Sequence, residues 1–157
     1  MPYSIYTDGA SRGNPGPASW GFVVYDQNAN ELGTKSRYEG KATNNAMELM
    51  AILEALRHVN KNVPRYEKVA GAIIYSDSQF SISVVTQWVH GWARNGWVKK
   101  TGGEIKNLEL IKDIYEELME LTVPVEFRKV KGHSGDRGNE RADELCNTAI
   151  DTYVEEM

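Results

Sequence analysis

The chain holds one cysteine, Cys146, so no internal disulfide can form. A lone thiol fits a reducing compartment. The three histidines, His58, His90 and His133, are scattered, and no zinc-ligand spacing results. No apolar run approaches the roughly 20 residues that cross a bilayer. The start, MPYSIYTDGA, lacks the basic opening and apolar stretch of a secretory signal. These absences argue against a disulfide scaffold, a zinc module and a membrane partner, and the expected location is cytoplasmic. Basic residues are also in the minority, 18 Lys and Arg against 22 Asp and Glu, for a net charge of −4. That balance runs against a nucleic-acid binder, because phosphate contacts dominate such affinities. The surplus acid therefore needs a location.

What is present suits one domain, residues 1–157, with 41% hydrophobic and 25% charged residues. A chain of this length buries a core without cross-links. Residues 3–8 are β-rich and run into Gly9, the pattern of a strand ending in a turn. Residues 11–17, SRGNPGP, read as a loop. Residues 20–26 form a second strand, and the turn QNAN leads to a third through about Tyr38. A helix follows, with Asn45 able to cap it and Leu49, Met50, Leu53 and Leu56 at helical spacing. Ala70 to Tyr75 reads as a buried strand ending at Ser76-Asp77-Ser78, a helix-start signal. Val84, Val85, Trp88 and Trp92 step by three and four along the next helix. Ile105, Leu108, Ile111, Tyr115 and Leu118 mark a long amphipathic helix. Val123 to Val130 alternates as a strand. A Gly-flanked loop, Lys131 to Gly138, precedes a last helix striped by Ala142, Leu145, Cys146, Ala149 and Ile150. The order predicts an α/β fold: a mixed sheet, antiparallel first and then parallel, with helices on both faces.

Four acids stand out. Glu48 lies in the first turn of a helix apolar almost all round, where an unpaired carboxylate is costly; a capping box with Asn45 is the plain alternative. Asp8 ends a strand, a place where turn residues are common. Asp77 also ends a strand, in a position that suits a helix cap. Asp143 flanks the apolar stripe of the last helix, where an ordinary exposed acid would serve. Taken together they say more. Sites in open α/β sheets form just outside the carboxyl ends of strands. If the strands carrying Asp8 and Asp77 are neighbours, four carboxylates share one hollow and repel strongly. Cations would hold them ionised. Oxygen donors favour Mg²⁺ or Mn²⁺. Two such ions about 3.5–4 Å apart serve phosphodiester hydrolysis. Setting these four acids aside leaves the other charges balanced. A basic groove can then exist, and His90 to Lys100 supplies Arg94, Lys99 and Lys100 among Trp92 and Trp97, with no acid. Trp88 reads as core. His133, between Gly132 and Gly135, has flexible flanks and a pKa suited to carrying a proton.

The segments TDGASRGNPGPASWG, TNNAMEL, SDSQ, TQWVHGW, KGHSG and NERADEL stand in order along nearly the whole chain. In these motifs the chain resembles the type 1 ribonuclease H family. The resemblance implies a ribonuclease H-like fold with a five-stranded mixed sheet. It implies endonucleolytic hydrolysis of the RNA strand of an RNA–DNA hybrid by two Mg²⁺ ions, with Mn²⁺ able to substitute, leaving 5′-phosphate and 3′-hydroxyl ends. Asp8, Glu48, Asp77 and Asp143 match the family's metal-binding carboxylates, and His133 its mobile catalytic histidine. Asn14, Asn45 and Gln79, with the backbone at Gly9 and Ser11, match hybrid contacts near the minor groove. Amides both donate and accept, as reading 2′-hydroxyls requires. Thr43 resembles a phosphate anchor on the DNA side, and residues 88–100 resemble the basic protrusion of bacterial members, which implies that Trp92 faces the DNA strand and that Trp88 is structural. Ala46, Gly91 and Ile111 depart from bacterial relatives, which often carry arginine, asparagine and tryptophan there. These departures bear on grip, not on cutting. A monomer is expected, and because the chain starts at its first strand, no separate N-terminal hybrid-binding module. Three rivals compete: an integrase, transposase or resolvase on the same fold; a non-catalytic hybrid binder; and a helical interaction domain. TNNAMEL and KGHSG argue against the first, intact acids against the second, and the placing of those acids against the third.

Overall fold

The computed structural model describes residues 2–62, 71–132 and 135–156. Three strands open the chain: β1 (Tyr3–Ser11), β2 (Gly16–Tyr25) and β3 (Glu31–Ala42). Then come α1 (Asn44–Asn62), β4 (Ala72–Ser76) and α2 (Gln79–Ser83). A π-helical segment, Val84–Trp88, joins α2 to α3 (Val89–Arg94); α4 (Leu108–Glu120), β5 (Val125–Lys129) and α5 (Arg137–Glu155) complete the order. The five strands form one sheet in the order β3-β2-β1-β4-β5. The pairs β1–β2 and β2–β3 are antiparallel, and β1–β4 and β4–β5 are parallel. The mixed sheet expected from the order of elements is therefore present.

Pleating divides the side chains between two layers. Ile5, Trp20, Phe22, Val24 and Ile74 join Leu49, Ile52, Leu53 and Leu56 of α1 in the main core. On the opposite face α5 lies against β1 and β2: Ser19 Oγ donates to the Cys146 carbonyl at 2.7 Å, and Cys146 Sγ donates to the Asp8 carbonyl at 3.3 Å. The near all-round apolarity of α1 is explained by its place between the sheet and α4; Met47 to Leu49, Ala51 to Leu53, Ala55, Leu56 and Val59 are all buried.

Local chemistry moves several expected boundaries. The stretch read as a loop, 11–17, is a loop only over residues 12–15: β1 runs to Ser11 and β2 begins at Gly16. The hairpin ladder extends to the Ser11–Ala18 pair, so cross-strand pairing overrides Gly and Pro content. β3 likewise continues past Tyr38 to Ala42. Asn45 does not cap α1. Thr43 does, with its Oγ1 accepting from the Ala46 amide at 3.2 Å. Asp136 caps α5 by accepting from the Asn139 amide at 3.0 Å, so the preceding loop ends before Gly138. Ala70, the first residue of the expected fourth strand, lies outside the described residues.

Trp88 is not core; it is 43% exposed. The cause is the π-helical turn, in which the Val89 amide bonds to the Val84 carbonyl, five residues back. The extra residue shifts the helix phase. Val84, Val85 and Val89 take the inward positions, and Trp88 turns outward.

Candidate metal centre and nucleic-acid interface

The parallel register brings two of the acids together. The last β1–β4 pair is Tyr6 with Tyr75. Asp8, still within β1, and Asp77, just past the end of β4, each stand two residues beyond it and so lie side by side. The Tyr6 and Tyr75 rings stack at 4.3 Å and 7°, which fixes that register. Glu48 arrives from α1, because β1 and the helix touch backbone to backbone: a Cβ on Gly9 would meet the Glu48 amide nitrogen at 2.4 Å. Asp8, Glu48 and Asp77 offer oxygens within 4.8 Å of one another.

Capping does not account for these acids. Ser78, not Asp77, caps α2, accepting from the Ser81 amide at 3.1 Å. Thr43 caps α1 and leaves Glu48 free of that duty. Asp8 is not a turn residue, since β1 continues to Ser11; its Oδ1 accepts from the Gly9 amide at 2.9 Å. Asp143, half-buried on α5, lines the same hollow of about 400 Å³ with Asp8, Glu48, Asp77, Ser11, Asn44 and Ser78. It lies outside the tight trio. Asn44 and Ser78 were not singled out in the sequence; each adjoins a motif residue, but polar type alone does not mark a lining position.

The electrostatics follow from burial. Asp8 is 5% exposed and Glu48 3%. Desolvation, then the charge of Asp77, pushes the Asp8 carboxyl up to about 8. Desolvation, then the charge of Asp8, raises Glu48 well above the carboxylate range. Glu48 Oε2 is buried without a hydrogen-bond partner. A hard divalent cation answers all three observations, since it stabilises the ionised forms and satisfies the orphaned oxygen. The donor set of carboxylate oxygens fits such an ion.

The family model described as RNase H matches residues 2–151. This chain belongs to the RNase H family. The ribonuclease H of Chromohalobacter salexigens is 40% identical over 149 residues, covering 94% of this chain and 84% of that protein. That of Thermosynechococcus vestitus is 42% identical over 143 residues, covering 89% and 83%. Among solved structures, LC11-RNase H1 in complex with RNA/DNA hybrid is 30% identical, with a TM-score of 0.74 over 97% of this chain and 99% of that one.

In this RNase H family member Gly9 and Ser11 line the hollow of acids and Asn45 and Trp92 a second groove, whereas Asn14, Thr43 and Gln79 line neither. Asn14 Oδ1 accepts from the Asn44 amide at 3.1 Å, tying the β1–β2 turn to the start of α1. Ser11 Oγ donates to the Ala42 carbonyl at 2.9 Å and also contacts the Gly13 carbonyl. Gln79, exposed in the first turn of α2, donates to Ser83 Oγ at 3.1 Å. Asn45 lines a separate groove of about 370 Å³ with Phe80, Trp88, Trp92, Lys99 and Lys106. Trp92 and Trp97 are partly buried against the core. Gly91 has open space where a side chain would stand, whereas Ile111 is fully buried. His133 lies outside the described residues. Among the described residues no helix is long and apolar enough to cross a membrane.

Proposed function

We propose that this chain hydrolyses the RNA strand of RNA–DNA hybrids endonucleolytically, using a divalent metal pair held by Asp8, Glu48, Asp77 and Asp143. The observation that carries the reading is the carboxylate trio of buried Asp8 and Glu48 with half-buried Asp77, and the unpartnered Glu48 Oε2. The name of the LC11 complex, an RNase H1 with RNA/DNA hybrid, supports the substrate class. Mg²⁺ is the ion proposed, two per site, with Mn²⁺ able to substitute. Bound there, the ions supply an activated water and charge neutralisation at the leaving oxygen.

The chain's own groups do the rest. Asp8, Glu48 and Asp77 would hold the ions most closely, with Asp143 lining the same hollow. Thr43 spends its oxygen on the helix cap, so its O–H remains to donate to a phosphate. Asn14 spends its carbonyl on Asn44, so its amide N–H groups remain for a 2′-hydroxyl or base edge. Gln79 keeps its carbonyl as an acceptor. The Ser11 hydroxyl is committed to the fold, so its contribution comes from the backbone, with that of Gly9. Asn45 and Trp92 lie along the groove that would take the DNA strand, and the exposed Trp88 joins them as a stacking surface. His133 serves as the proton carrier or product-release residue. The chain acts as a monomer in the cytoplasm.

A panel of labelled RNA–DNA hybrid, duplex DNA and duplex RNA, each with Mg²⁺ and with EDTA, tests the reading. Only the hybrid should be cut, on its RNA strand and only with metal. Cleavage of duplex DNA would favour an integrase or resolvase instead.

A further inference from the structure

The two glycines flanking His133 are required for different reasons. Gly135 holds φ at +87°, a conformation that disfavours side chains. Gly132 has no positive φ, so alanine could adopt its backbone. Its requirement is space.

The chain leaving β5 runs beside the end of β4. Lys129 pairs with Ser76, and the Val130 amide donates to the Ser76 carbonyl at 2.9 Å. Two residues further on, Gly132 passes in front of Asp77. A Cβ there would stand 2.8 Å from Asp77 Oδ2, but an ordinary 3.5 Å from Asp77 Cβ and Cγ. The conflict is confined to one carboxylate oxygen.

We propose that Gly132 is a positioning residue for Asp77, whose carboxylate can point at Asp8 and Glu48 because the glycine α-carbon is bare. An added methyl is relieved most cheaply by rotating the short Asp77 side chain, because the backbone leading into both residues is held by the Ser76–Lys129 pair and the Val130–Ser76 hydrogen bond. The damage therefore falls on the oxygen trio, now within 4.8 Å, and not on the fold. The inference rests on reading Asp77 as a metal-holding residue.

The test is Gly132→Ala, with Mn²⁺ affinity measured by calorimetry on metal-free protein beside kcat, KM and the melting temperature in EDTA. Mn²⁺ affinity and kcat should each fall about tenfold or more, as for lost support around a metal ligand. KM for the hybrid and the melting temperature should match wild type. Wild-type Mn²⁺ affinity and kcat in the variant would overturn the role of Gly132 alone. So would a large fall in melting temperature, which would place the damage in the loop. A wild type that neither binds Mn²⁺ nor cuts hybrid would overturn the proposed function and this inference with it.

Discussion

Replacing Asp8 by asparagine should make the metal-free protein more stable while destroying its activity. In the folded chain the Asp8 carboxyl is pushed from 3.8 up to about 8, by desolvation and then by Asp77. The folded state thus keeps a proton that the unfolded chain releases. Stability from this group is complete below 3.8 and is lost as pH climbs to about 8. At pH 7 the gap from the unfolded value is about three units, each about 1.4 kcal/mol. The burden on the native state is therefore on the order of 4 kcal/mol. Glu48 shifts in the same direction and adds to it. The asparagine amide carries no charge, so Asp8→Asn removes most of this burden. Urea unfolding in EDTA at pH 5 and pH 8 reads the effect. The variant should exceed wild type by a few kcal/mol at pH 8 and by much less at pH 5. Saturating Mg²⁺ should narrow the difference, because the ion stabilises only the wild-type carboxylates. A variant no more stable than wild type at pH 8 would refute the buried-charge argument. Retained turnover would remove Asp8 from the chemistry.

His133→Ala should slow turnover without abolishing it; an unchanged rate profile across neutral pH would exclude a proton-carrying role. Trp88→Ala should weaken hybrid binding by about 1–3 kcal/mol if a base or sugar stacks there, with kcat at saturation kept; filter binding reads this. Gly91→Asn should fit without strain, since open space surrounds it, and should tighten hybrid binding at low salt in the same assay. Leu56→Ala, fully buried in α1, should cost about 2–5 kcal/mol in urea unfolding with the active fraction's turnover kept.

Much of this arrangement was legible in the residues. Period and element order indicated the mixed sheet, and the four acids, unremarkable one by one, do line one hollow as their joint placing suggested. Boundaries were harder, because pairing across the sheet extends β1 and β2 into both edges of a stretch rich in Gly and Pro and leaves only residues 12–15 as the loop. Trp88 misled for a specific reason: a helical wheel assumes a constant phase, and the π-helical turn breaks it. The caps were misread at Asn45, because Thr43 and Asn45 are both competent cappers and only the backbone decides. Asn44 and Ser78 at the hollow became visible only from the fold. The spatial demand at Gly132 was equally hidden, since its neighbour Asp77 is distant in sequence.

The stacked Tyr6 and Tyr75 rings have an implication for how such a protein can change over time. A slip of one residue between β1 and β4 would turn Asp8 and Asp77 to opposite sides of the sheet. The donors are thus anchored by strand alignment and helix docking, and of the connecting segments the one through Gly132 bears on them directly. Insertions after α3 would border the groove lined by Trp88, Trp92 and Lys99 and leave the hollow of acids intact, so the two can change separately.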